Sequence, residues 1–160
     1  MLILIKFFIH HKIMKSLKVS SPSFENNGRI PDKHTCKGMD VNPKLIIENL
    51  PKETKSLVLI VDDPDAPMGT WDHWIVWNIK PTNVIEENSI PGQEGINSAN
   101  QRHWHGPCPP YGTHRYFFKV FALDTILKIP ENSRKKEVEK AMEGHIIAKG
   151  ELIGIYSKQT

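Results

Sequence analysis

The sequence predicts a mainly β fold: an antiparallel β-sandwich with one peripheral helix in its C-terminal half. Three observations predict it. The apolar runs Ser56–Val61, His73–Ile79 and Arg115–Leu123 are strand-length, too short for helices, and bounded by Pro, Gly or Asp. Only one stretch, after Pro130, carries helical spacing. Strands do not alternate with helices and there is no GxGxxG or Walker-type loop, which argues against a nucleotide-binding α/β fold.

The elements follow in order. MLILIKFFI at the start is nearly all apolar but shorter than the roughly 20 residues that span a bilayer. It has no basic segment before it and no small-residue cleavage site after it, so it is a poor secretory signal. We expect residues 1–14 to be an extension outside the fold, without stable membrane insertion, and residues 15–160 to form one domain. Ser16–Val41 reads as loops around short strands. Lys44–Ile47 is a short strand ended by Asn49-Leu50-Pro51. Ser56–Val61 is β-branched and continuously apolar, as in a strand buried on both faces.

The run DDPDAP then bends the chain. In the next strand, period 2 sets His73, Ile75, Trp77 and Ile79 against Trp74, Val76 and Asn78. Thr82–Pro110 is long, polar and irregular, which in a compact domain marks a functional loop. After it, His114, Tyr116, Phe118 and Val120 share one strand face, and Arg115, Phe117, Lys119 and Phe121 the other. Asn132 or Ser133 caps a helix in which Val138, Ala141, Met142 and His145 keep helical spacing, ending near Gly144. Ile146–Ala148 and Glu151–Tyr156 form a last strand.

Composition narrows the function. The 160 residues are 39% hydrophobic and 24% charged, which fits a folded domain. The net charge of +3 is dispersed. Its one tight basic run, Arg134-Lys135-Lys136, reads as a solvated helix face, so no nucleic-acid partner is expected. Cys36 and Cys108 sit in no CxxC motif. Either they pair, closing a loop worth about 4 kcal/mol in the chain-entropy treatment, or in a reducing compartment they stay free thiols.

The polar residues that carry chemistry lie at strand ends. Asp62, Asp63 and Asp65 close the most buried strand, His73 opens the next, and His114 and Tyr116 open the third. Strand ends gather at one rim of a sandwich. There the imidazoles, the Tyr116 phenol and backbone N–H groups of Gly112 and Thr113 would offer donors to phosphate or carboxylate oxygens. Asp63 is assigned to orient a histidine rather than to touch an anion. Plainer roles compete: Asp65 as a turn former, His73 as a satisfied polar edge, Tyr116 as core. The prolines of GPCPPYGTHRY (106–116) fix φ and hold that rim in place before a ligand arrives.

VDDPDAP (61–67), HWIVWNI (73–79) and GPCPPYGTHRYFFKVFALD (106–124), with RIPDKHTCKG (29–38) and AMEGHIIAKGELIGIY (141–156), resemble the phosphatidylethanolamine-binding protein family, in its bacterial and archaeal Raf-kinase-inhibitor-like branch. The resemblance runs from about Lys15 to Ser157. It implies a Greek-key β-sandwich with a small cavity for phosphate-type anions, including phospholipid headgroups. It sets the cavity residues at Asp63, Asp65, His73, Pro110, His114 and Tyr116, and implies a cis bond at Pro67. The chain departs from the family pattern in three ways. Asp72 stands where the animal branch has histidine. Lys37 stands where an acidic residue is common, and His103 and His105 where smaller residues are expected. The C-terminal helix of the animal proteins is not expected here, which weakens the implied kinase partners.

The leading expectation is therefore non-enzymatic binding of a small phosphorylated or anionic ligand in a cytoplasmic protein, with no cofactor. A kinase or protease partner and a homodimer stay open. The alternative is a metal-dependent hydrolase using His73, His103, His105, His114 and Asp63. A serine hydrolase lacks its GxSxG elbow.

Overall fold

Residues 13–158 are described by a computed structural model; residues 1–12 of the expected extension lie outside them. In chain order the strands are β1 (Lys15–Ser16), β2 (Lys18–Ser20), β3 (Gly28–Arg29), β4 (Leu45–Glu48), β5 (Ser56–Asp63), β6 (Trp71–Ile79), β7 (Val84–Ile85), β8 (Gln93–Glu94), β9 (Thr113–Leu123) and β10 (Ile146–Ser157). Helix α1 (Lys135–Met142) precedes β10, and a 3-10 turn covers Asp32–His34. Seven strands make one sheet in the order β1-β10-β9-β5-β6-β8, with β3 also against β10; β2-β4-β7 make a second. The long neighbours are all antiparallel. The two-residue pairs of β1 and β3 with β10 are parallel, a departure from the expected all-antiparallel pairing.

Strand β5 shows why the core sits on both sides of the large sheet. All of its residues are buried. Leu57, Leu59 and Val61 pack toward the small sheet with Leu45, Ile47, Phe118 and Val120. Val58 and Ile60 pack with Ile75, Trp77, Val138 and Met142 beneath α1. Each fully buried Val, Leu or Ile contributes about 1.5–3 kcal/mol. The alternation runs to the strand's end: Asp62 pairs with Lys119 at 3.0 Å and with Lys135 of α1 at 3.3 Å, whereas Asp63 reaches His114.

Strict alternation fails in β6. Ile79 packs with Trp74 and Val76 instead of Ile75 and Trp77. Asn78 has φ 52°, and the pairing with β5 shifts between Leu57 and Leu59. A second shift leaves Val61 opposite Trp74 but Asp62 opposite Asp72, so His73 is the extra residue of a bulge. Bulges re-aim side chains, and this one sets the His73 ring edge-on against Tyr116.

Three further expectations need correction. Pro67 is not cis, and no cis peptide occurs among the described residues. The trans form is intrinsically preferred, and the turn is already fixed by Asp63 Oδ1 accepting from the Asp65 N–H at 2.8 Å. Arg134, not Ser133, precedes the first turn of α1, with its N–H donating to Glu137 Oε2; Ser133 Oγ donates back to Pro130 O. His145 lies beyond the helix, with Nδ1 on Asp124 Oδ1 at 2.8 Å. Among the described residues no helix is long and apolar enough to cross a membrane.

Candidate functional site

The C-terminal end of β5 and the N-terminal starts of β6 and β9 lie at the same margin of the large sheet, because both pairings are antiparallel. A cavity of about 660 Å³ opens there. At its floor the buried Asp63 carboxylate accepts from His114 Nδ1 at 2.7 Å. Asp63 is thus held by two donors, the His114 ring and the Asp65 amide. Asp65 turns outward and grips the next residue of β9: its carboxylate accepts from the Arg115 N–H, Nε and a terminal nitrogen at 2.9–3.0 Å. These bonds hold its carboxyl down to about 2.

His73 Nδ1 donates to the main-chain oxygen of His105. Burial, chiefly, pulls its pKa down to about 4, so the ring is neutral near pH 7. Tyr116 lies between the two imidazoles, 5.2 Å from His73 and 6.5 Å from His114 between ring centroids. Burial pushes its phenol well up, so the hydroxyl keeps its proton.

The proline-rich loop forms the opposite wall, with Cys108, Pro109 and Pro110. It is tied down three times. Cys36 and Cys108 are disulfide-bonded with Cα atoms 5.5 Å apart, which settles the open pairing. The Cys36 N–H donates to Pro107 O at 3.2 Å, and the Gly106 N–H to Asp40 Oδ1 at 2.9 Å. A Cβ on Gly106 would collide with Asp40 Oδ1 and His34 O, so only glycine permits this approach. Among the described residues no group of three or more His, Cys, Asp or Glu is arranged to hold a metal ion.

The phosphatidylethanolamine-binding protein family model matches residues 20–157. This chain belongs to that family. It is 53% identical over 156 residues to a UPF0098 protein of Pyrococcus horikoshii, covering 90% of this chain and 78% of that one. A crystal structure from Chlamydia trachomatis, described as a phosphatidylethanolamine-binding protein homologue, superposes with a TM-score of 0.87 at 40% identity, covering 91% of this chain and 99% of the other. YbcL of E. coli, described as a new member of the mammalian family, gives 0.82 at 28% identity, covering 90% and 99%.

In this family member the cavity gathers Asp63, Pro67, His73, Pro110, His114 and Tyr116 on one wall-and-floor surface. Asp65, Gly112 and Thr113 are not on it. Asp65 acts at one remove, through Arg115. Gly112 takes φ 72° in the turn before β9, and Thr113 pairs with Ser157. Two contributors carry no signal in the sequence. Arg134, read as part of a solvated basic run, reaches the cavity wall; its guanidinium donates to Asn97 O at 3.2 Å and Asn100 Oδ1 at 2.7 Å. Buried Asn97 donates to the carbonyls of His73 and His103, and accepts from the Ala99 and Gln101 amides. Its contacts span residues 73 to 134, which no local pattern foretells.

Proposed function

We infer that this protein binds a phosphate-type anion in the cavity at the ends of β5, β6 and β9. The observation that carries the reading is the buried Asp63–His114 pair facing a cavity that also holds Tyr116 and Arg134. The carboxylate fixes the orientation of the His114 ring and leaves Nε2 as the nitrogen for a ligand. The protonated phenol and the guanidinium add further donors. The tethered proline loop is ordered in advance, so little freedom remains to be lost on binding. The family's name supplies one source of such an anion, a phospholipid headgroup; a phosphorylated small molecule or side chain supplies the same chemistry. No observation favours the hydrolase alternative, since among the described residues no group of three or more His, Cys, Asp or Glu is arranged to hold a metal ion.

Isothermal titration with phosphate, phosphoethanolamine and phosphotyrosine tests this. Heat is expected from at least one, and His114→Ala should abolish it while the circular dichroism spectrum is retained. No heat from any of the three refutes the reading.

A further inference from the structure

The two cavity histidines are held by different partners. His73 Nδ1 meets a main-chain carbonyl, which only accepts, so Nδ1 carries the hydrogen and the neutral ring is left with a lone pair at Nε2. His114 Nδ1 meets the Asp63 carboxylate. Both rings flank Tyr116 and line the same cavity. Protonating His73 is opposed chiefly by burial, and also by the His105 ring stacked on it at 5.9 Å and by His114 across Tyr116; the hydrogen bond to the His105 carbonyl and the Asp62 carboxylate favour a charge but do not outweigh burial. Burial thus keeps that ring neutral near pH 7. The cavity therefore sets a neutral acceptor, His73 Nε2, beside its donors.

We propose that His73 makes the cavity selective for an anion that itself carries a hydrogen-bond donor, a phosphoryl group with a P–O–H, over oxyanions of similar shape without one, which favours free phosphate or a phosphomonoester over the phosphodiester of a phospholipid headgroup. The proposal rests on the anion-binding reading above. An oxyanion with no proton would turn an oxygen lone pair toward Nε2, leaving a buried acceptor unpaired; a site built to pair such a group discriminates strongly against a ligand that cannot. Inorganic phosphate near pH 7 always carries at least one proton. Sulfate and dimethyl phosphate carry none, and they bracket phosphate in charge, so charge alone would not rank both below it.

The experiment is competition binding of sodium phosphate, sulfate and dimethyl phosphate to the full chain at pH 7 and constant ionic strength. Phosphate is expected to bind at least about tenfold more tightly than either competitor. In His73→Gln, whose amide can turn either an oxygen or an N–H toward the ligand, the sulfate-to-phosphate ratio should approach one. Should that variant misfold, imidazole ¹⁵N shifts of the wild type give the same answer, with His73 protonated only at Nδ1 in both free and phosphate-bound protein. Equal affinity for phosphate and sulfate, or a proton on His73 Nε2 in the complex, overturns the proposal and leaves the anion site standing. If none of the three anions binds, the proposal falls, and titration with phosphoethanolamine and phosphotyrosine decides whether the anion site falls with it.

Discussion

Replacing Cys36 and Cys108 together by alanine removes the covalent tie between the cavity's proline-rich wall and the segment following the Asp32–His34 turn. The bond joins residues 72 apart in sequence. Closing a loop of that length takes about 4 kcal/mol of freedom from the unfolded chain. Little is lost from the folded side, because the Cys36 N–H still meets Pro107 O and the Gly106 N–H still meets Asp40 Oδ1. For a domain of this size each kcal/mol moves the midpoint by about 2–4 °C, so the melting temperature should fall by about 8–16 °C. The assay is urea and thermal unfolding followed by tryptophan fluorescence, for the double variant and for wild type with and without reductant. Reduced wild type should match the variant, and both should show a larger urea m-value, since their unfolded chains are less compact. A loss below about 1 kcal/mol would refute the reasoning and assign the wall's order to its hydrogen bonds and packing.

Three other perturbations separate the supports of the site. The Arg115 hydrogen bonds lower Asp65 from its ordinary 3.8 to about 2, so the pair stabilises fully above 3.8 and fades as pH falls toward 2. With Asp65 29% exposed and partly screened, Asp65→Ala should cost about 1 kcal/mol at pH 6 and only a small fraction of that near pH 2, by chemical denaturation at both. Asn97→Ala strands two carbonyls and two amides; it should cost about 3 kcal/mol and speed hydrogen exchange at residues 98–105. Gly106→Ala forces the loop off Asp40 and His34 and should cost about 2 kcal/mol or more in urea denaturation.

The parts of the fold that depend on local pattern were legible. The runs that became β5, β6, β9 and β10 announce themselves by apolar content, and period 2 correctly places His114 and Tyr116 on one face, while Asp63 joins them because strand ends gather at one margin. What escaped was decided between distant segments. Strands β1, β3, β7 and β8 have two residues each, too few for any periodicity. The bulges at Asn78 and His73 arise from pairing with β5, and they reassign Ile79 and aim His73 in ways a uniform strand does not predict. Lys135 illustrates the same limit. In sequence it is one of three basic residues; in space it pairs with Asp72 at 2.6 Å and Asp62 at 3.3 Å under the helix.

The short flanking strands also cap the margins of the large sheet. Along the outer side of β10, main-chain groups from Ala148 to Ile155 are already taken by Lys15, Leu17, Asn26, Asn27, Arg29 and their neighbours. Along β6, Asp72 to Trp77 are taken by Gln93, Glu94, Gly95, Asn97 and Ser98. Among the described residues, strand addition is thereby opposed at both margins of the large sheet, which leaves the outer strands of the small sheet, β2 and β7, as the other edges that an incoming strand would meet.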